Sequence, residues 1–441
     1  MTKNSALRNA IKGCLSIYFV FLFLLSVTSF NMIKQRFNNG TLFLTGHESE
    51  CKAVDFVSAY MTSLIAKRSA TQHDCFIYDT DIQFAITNEI LKPVTLGAKR
   101  VVEYPPYFYT FMYPLSFFSL KGAWLVWDGC NLVLLIIALV YIARKESFSW
   151  ADCGLILIWA LAYGPVMTCL QSGQMAIWLA AGLTSVWLLL EKQKYVLAAF
   201  ATAFGIVKIQ YLPFVVICGL VLGRKKYVLG LIAAFTTLLL PCVFLFGPRA
   251  VFGYPNVILF NDGSRWSTLQ YMENIRAQIF CLLPIISPSV LFIVSACLML
   301  MAMIIQAYIW LRYYPKLLLV DKDAFKVCAA VSTLMMLSFS LHTFAYDYVA
   351  SLVPCIWLYR GICDFPSPAT IVYRRSLKYM ILFFPLIYLG CSVLQQKYPT
   401  LECLRFPCLI NCVVLLLCLK IFLSLSKSGT PTSEQEPLAI T

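Results

Sequence analysis

Charge is scarce in this chain. Only 13% of its 441 residues are Asp, Glu, Lys or Arg, about half the share that a soluble globular domain carries. Against that shortage stand 60% hydrophobic residues, among them 32 Phe and 24 Tyr. A soluble fold of this size has no means of covering so much apolar surface, which leaves an all-α polytopic membrane protein. Also missing is any CxxC or Cys/His spacing suited to a metal, although there are 18 cysteines. Most of these lie inside apolar runs, where a thiol behaves as a small hydrophobe, so neither a metal site nor a cofactor is expected. The Gly-rich phosphate loops of soluble nucleotide-binding folds are absent as well. The net charge of +14 does not point to nucleic acid, because no basic stripe interleaved with aromatics occurs. Lys and Arg stand in short clusters between apolar runs, the pattern that sets membrane topology.

Residues 11–33 form the first apolar run long enough to span ~30 Å of hydrocarbon at ~1.5 Å per residue. Lys3, Arg8 and Lys12 stand at its head, and no small-residue cleavage site follows Ser29. This predicts an uncleaved helix with its N-terminus inside. The polar interval 34–107 comes next, the longest stretch able to face water. Within it Phe56, Val57, Tyr60, Met61, Leu64 and Ile65 recur at helical spacing behind Asp55, and Ile82, Phe84, Ile86 and Ile90 repeat the pattern over residues 81–91. Two amphipathic helices lying on the outer membrane surface are therefore expected. Cys51 and Cys75 flank the first, placed so that an oxidising compartment would permit a disulfide. The aromatic segment 104–114 is too broken by proline to span.

Eleven more spans are read between residues 122 and 425, making about twelve. With the N-terminus inside, 20 of the 35 Lys and Arg fall on the inner side, including Arg144, Lys145, Arg224, Lys225, Lys226, Arg374 and Arg375. Residues 1–425 thus read as one integral-membrane domain, with 34–107 as an extracytoplasmic loop and 426–441 as a disordered cytoplasmic tail. Between the inner clusters Lys192/Lys194 and 224–226 only about 28 apolar residues remain, so charge parity requires two crossings of ~14 residues, ~21 Å each. Neither reaches the far surface. The turn at 206–210 must then sit below that surface, where irregular backbone is tolerated only beside a water-filled cavity, with Lys208 at its floor.

Other polar residues gather at the same outer ends: Gln171 to Gln174, Ser264 to Arg276 with Arg265 between them, and His342 to Asp347. Singly each has an ordinary role, as a connecting turn, a loop imidazole, a helix cap or a lipid-phosphate contact. Together they face the side that carries Asp55.

The series Asp55, Phe56 and Tyr60, then Tyr104 to Pro106, Trp127, Gly173-Gln174 and Lys208-x-Gln210 resembles glycosyltransferase family 87 over roughly residues 11–360. The chain departs from the family at Ile209, where members commonly carry proline. The resemblance implies a GT-C type membrane enzyme that takes a hexose, mannose above all, from a polyprenyl-phosphate donor to a hydroxyl of a lipid or glycan acceptor. It implies Asp55 as general base of an inverting transfer. Lys208, Arg265, Arg276 and His342 would hold the donor phosphate, and Tyr60, Tyr104, Gln174, Gln210 and Asp347 would line the substrate site. The expected setting is the plasma (inner) membrane, with the site on the extracytoplasmic side and membrane lipids as neighbours. A secondary transporter or flippase of a lipid-linked sugar is the alternative, although no internal repeat of the transporter kind occurs.

Overall fold

The computed structural model of the protein describes residues 3–39, 54–71, 76–92, 102, 104–258, 269, 271–315, 324–361 and 371–428. Among these residues helices are the only extended elements, joined by a single isolated bridge between Met272 and Phe344. Arg265, Cys51, Cys75 and the tail beyond residue 428 lie outside the described residues.

The chain opens with α1 (Lys3–Asn38), which contains the predicted first span. Next come α2 (Val54–Thr71), α3 (Thr80–Leu91) and the short α4 (Pro106–Met112). The long α5 (Leu120–Lys145) is capped by the Ser119 hydroxyl. A bent pair follows, α6 (Trp150–Leu161) and α7 (Gly164–Ser172), meeting at 65°. Then come α8 (Ala176–Glu191), α9 (Tyr195–Gly205) and α10 (Leu212–Phe246). The predicted span over 277–311 is instead two helices, α11 (Ile275–Leu282) and α12 (Pro288–Tyr308), because Pro284 and Pro288 interrupt the backbone donors between them. The chain ends with α13 (Ala324–Phe339), α14 (Leu352–Gly361), the bent pair α15 (Ile371–Leu382) and α16 (Phe384–Lys397), and α17 (Phe406–Ser428).

Among the described residues, four helices are long and apolar enough to cross a membrane, or up to six if each bent pair counts as one span. Their outward residues, such as Ile17, Ile137, Leu229, Phe244 and Ile304, are exposed. On a protein of this composition such a belt is the surface that meets lipid. One of the four, the continuous stretch through α10, contains a break. Arg224 has φ 45° and ψ −129°, and a Cβ on Gly219 would meet the Tyr227 ring at 2.2 Å. Eight helical residues rise ~12 Å, beyond the reach of a tyrosine in a straight helix. The chain therefore turns back at Arg224, the position where the basic cluster predicted an inner turn.

The surface position expected for α2 is not what its packing shows. Phe56, Val57, Ala59 to Ser63, Ile65 and Ala66 are all buried, with α3, α4 and α10 packed around them. Its hydroxyls make this possible: Thr62 Oγ1 donates to the Ala59 carbonyl and Ser63 Oγ to the Tyr60 carbonyl, each at 2.6 Å. A buried hydroxyl bonded to its own helix costs little, so polar spacing in the sequence did not mark a solvated face.

The helix ends sort into two groups. At one end Lys326 Nζ pairs with Glu146 Oε2 at 2.8 Å and Lys145 pairs with Glu191, joining the C-terminal ends of α5 and α8 to the start of α13. At the other, Trp127 near the head of α5 donates to the Gly173 carbonyl between α7 and α8. α8 and α9 touch backbone to backbone: a Cβ on Gly182 would stand 2.7 Å from the Gly205 Cα. Such close approach through small residues is how apolar helices pack when no hydrophobic force separates them from lipid. It carries the turn after α9 towards the second group of ends.

Candidate active site

Asp55 is the second residue of α2 and is half-buried. Its position is set by its neighbour. Phe56 is fully buried and lies on Gly173, where a Cβ would come within 2.5 Å of the Phe56 Cβ and where φ is +67°. Only glycine meets both conditions without strain. Trp127 Nε1 donates to the carbonyl of the same glycine at 2.9 Å, so α2, α5 and the α7–α8 turn are fastened at one point. Gln174 follows directly, buried, its carbonyl accepting the Cys169 thiol at 3.2 Å. Three signals of the sequence, Phe56, Trp127 and Gly173, thus share one mechanical task, which is to hold the residue beside Asp55.

The second half of the site is an ion pair. Lys208 sits in the turn after α9, one-tenth exposed, and its Nζ pairs with Asp347 Oδ1 at 2.5 Å. The same ammonium lies 4.5 Å from the centre of the Tyr346 ring, an additional cation–π contact. Asp347 is wholly buried; its Oδ2 accepts from the Tyr211 hydroxyl at 2.9 Å and from the Phe344 amide at 3.0 Å. With three donors its carboxylate is occupied, and it serves to organise the segment 342–347. Gln210 Nε2 donates to the His342 carbonyl at 3.2 Å, a second tie between the two stretches.

Tyr104 and Tyr346 connect the halves. Burial, and then the charges of Asp55 and Asp347, hold both phenols above their ordinary range. Both remain O–H donors, and both carboxylates bear on each ring. Asp55, Tyr104, Lys208, Tyr346 and Asp347 are thereby one electrostatic group, contributed by α2, the approach to α4, the α9–α10 turn and the segment after α13.

The remaining predicted residues are placed as follows. The Tyr60 hydroxyl donates to the Phe118 carbonyl at 2.7 Å, and the residue lines a groove of about 250 Å³ with Leu64, Ile86, Glu89, Ile90 and Leu120. Arg276, buried on the first turn of α11, has its guanidinium 5.5 Å from the Phe292 ring centre. That helix is stitched to the His342 segment, since Asn274 Nδ2 donates to the Ser340 carbonyl at 2.8 Å and the Glu273 amide to the Thr343 carbonyl at 2.7 Å. Tyr211 escaped the sequence analysis, though it adjoins Gln210, and Tyr346 entered it only as part of the stretch that ends in Asp347, with no role of its own.

A helical membrane protein that gathers two carboxylates, a lysine and two tyrosine donors at one end of its helices has a site suited to a substrate with hydroxyl and charged groups. Residues 103–339, more than half of the chain, match glycosyltransferase family 87. The chain belongs to that family and is a membrane glycosyltransferase. No curated protein and no solved structure matches it. The matched segment contains Tyr104, Gln174, Lys208 and Gln210, begins after Asp55 and Tyr60, and ends before His342 and Asp347.

Proposed function

We propose that the protein transfers a hexose, mannose in the first instance, from a polyprenyl-phosphate donor to a hydroxyl of a lipid or glycan acceptor, with inversion at the anomeric carbon. The observation that carries this reading is the placement of Asp55, half-buried at a helix start fixed by Phe56 on Gly173 and in the same charged group as Tyr104, Tyr346 and Asp347. Asp347, engaged by three donors, holds Lys208 in this reading, and Asp55 takes the proton. In the transfer, the acceptor O–H proton passes to Asp55 as its oxygen forms a bond to the anomeric carbon. The bond from that carbon to the phosphate oxygen breaks with its electron pair, leaving polyprenyl phosphate. One displacement needs one base and no enzyme nucleophile, which is the inverting case.

Charge develops on the leaving phosphate, and Lys208 is the cation best placed to meet it, with Tyr346 behind it and Asp347 fixing its direction. His342 and Arg276, which flank the same segment, are the further phosphate-binding groups of this reading, with Arg265 in addition. Gln174, Gln210 and Tyr104 supply amide and phenol groups for sugar hydroxyls, and Tyr60 shapes the groove beside α2. The site faces the extracytoplasmic side of the plasma (inner) membrane in a GT-C type arrangement of about twelve crossings. The short lengths of α9 and of the first arm of α10 favour that count. The test is transfer of radiolabelled mannose from polyprenyl-phosphate mannose in membranes containing the protein. Labelled glycolipid or glycan of inverted configuration is the expected product, and absence of transfer from this donor would refute the donor assignment.

A further inference from the structure

One acidic residue stands inside an apolar span and takes no part in the site described above. Asp128 is the ninth residue of α5, so it lies ~12 Å along the helix from Leu120. One turn further on the same helix is Asn131, 2% exposed. Asp128 Oδ1 and Asn131 Nδ2 are both buried and have no hydrogen-bond partner among the described residues. The side chain that bears on the Asp128 carboxyl is that of Asn131 itself, short of ordinary hydrogen-bond geometry, and two buried polar groups left in that state are unusual. At membrane depth an ionisable side chain is rare and normally faces a cavity or a ligand.

The position of the pair says what it would meet. Trp127, the neighbour of Asp128, holds the Gly173 carbonyl, the same glycine that seats Phe56 beside Asp55. Asp128 and Lys208 both lie within electrostatic reach of the Cys169 thiol, and Cys169 in turn is within reach of Tyr104. The pair therefore adjoins the Asp55 and Lys208 group from the α5 side. A second carboxyl there is unsuited to phosphate. A carboxyl oxygen accepting from one hydroxyl and a carboxamide donating to the next is, however, the complement of two adjacent hydroxyls on a sugar ring. Its depth in the span favours a sugar that arrives attached to a membrane lipid over one that arrives from water.

We propose that Asp128 and Asn131 form the hydroxyl-reading pair of the donor-sugar subsite, binding two neighbouring ring hydroxyls of the lipid-linked hexose. This rests on the transfer reading above. A site built to bond a hydroxyl rejects an analogue that lacks it far more strongly than a site that merely fits around it. The pair is thus a specificity device.

The experiment uses the full chain in membranes with polyprenyl-phosphate mannose, glucose and galactose, together with ring-deoxy analogues of whichever hexose is transferred. Wild type is compared with Asp128→Asn and Asn131→Ala, and each variant is checked for expression and melting temperature. The expected result is a KM raised about tenfold or more in each variant, with kcat changed much less. The preference of wild type over one deoxy donor should also shrink in the variants, because that hydroxyl no longer has a partner to lose. Should wild type transfer a hexose while both variants keep its KM and its discrimination, this proposal falls and the transfer reading stands. Equal loss of kcat and thermal stability in both variants, with discrimination intact, marks the pair as structural and likewise overturns it. If wild type transfers none of the three sugars, the transfer reading fails and takes this proposal with it.

Discussion

Removing Lys208 tests whether its charge acts on substrate or only on the fold. In Lys208→Met the apolar stem is replaced by one of similar length, but Asp347 stays wholly buried with only Tyr211 and the Phe344 amide to hold it. Removing one partner of a buried pair typically costs ~3–5 kcal/mol, most of it the penalty of the charge left behind. Asp347→Asn leaves the lysine, one-tenth exposed, without its counter-charge and should cost a similar amount. The double variant, Lys208→Met with Asp347→Asn, has no stranded charge. It should lose less than the sum of the singles by ~2 kcal/mol or more, the behaviour of contacting residues in a double-mutant cycle. Melting temperatures of the purified protein in detergent read this part. Transfer activity reads the other: if Lys208 meets the donor phosphate, the double variant recovers part of the lost stability and remains inactive. A double variant that regains wild-type transfer would refute the phosphate role and reduce Lys208 to a structural partner of Asp347.

Gly173→Ala should be expressed poorly and transfer little, since it adds ~1–2 kcal/mol of left-handed backbone strain to a 2.5 Å clash with Phe56. Normal activity in that variant would show that the seat of Phe56 does not position Asp55. Burial pushes the Glu273 carboxyl up to about 7, against the opposing charge of Arg405. The native state then holds a proton that the unfolded chain releases between about 4.5 and 7, so stability falls as pH rises through that window, by up to ~3 kcal/mol, and levels off above it. Glu273→Gln should flatten the profile of melting temperature between pH 5 and 8, and an unchanged slope would place the titration elsewhere. For topology, single cysteines introduced at residue 55 and residue 225 should differ towards an impermeant thiol reagent, labelling from outside at 55 and not at 225. Outside labelling at 225 would overturn the inner placement of the turn at Arg224 and with it the twelve-crossing count.

Much of the site was legible because membrane proteins place few charges without reason. Lys208 stood out through chain length alone: two inner basic clusters were too close for full crossings, and α9 with the first arm of α10 has the short lengths that this demanded. His342 and Asp347 were chosen for lying on the same side, but the link from Asp347 to Lys208 spans 139 residues and that from His342 to Gln210 spans 132, and no local pattern encodes either. α2 misled because Thr62 and Ser63 satisfy themselves on their own helix, so a polar letter there does not mean a wet face. Asp128 drew no notice because a single acid barely alters the hydropathy of a 26-residue helix. Its significance appears only when its unsatisfied Oδ1 is seen beside the unsatisfied Nδ2 of Asn131. The break at Arg224 was expected from charge, yet its form, a positive φ in a residue other than glycine, belongs to the packing of Gly219 against Tyr227.

The central claim is that Asp55 takes the acceptor proton, and substitution separates this from its ordinary alternative as a helix-start residue. At the second position of α2 the Asp55 charge contributes only ~0.3–1 kcal/mol through the helix dipole, a modest loss that Asn and Ala share. Asn keeps the shape and polarity of the side chain but has no basic oxygen. The measurement is transfer of radiolabelled mannose from polyprenyl-phosphate mannose in membranes bearing equal amounts of wild type, Asp55→Asn and Asp55→Ala, with donor binding measured in parallel. The account predicts normal insertion and donor binding in Asp55→Asn while transfer falls by two or more orders of magnitude. Transfer by Asp55→Asn at the wild-type rate, with Asp55→Ala failing only through poor folding, would contradict it.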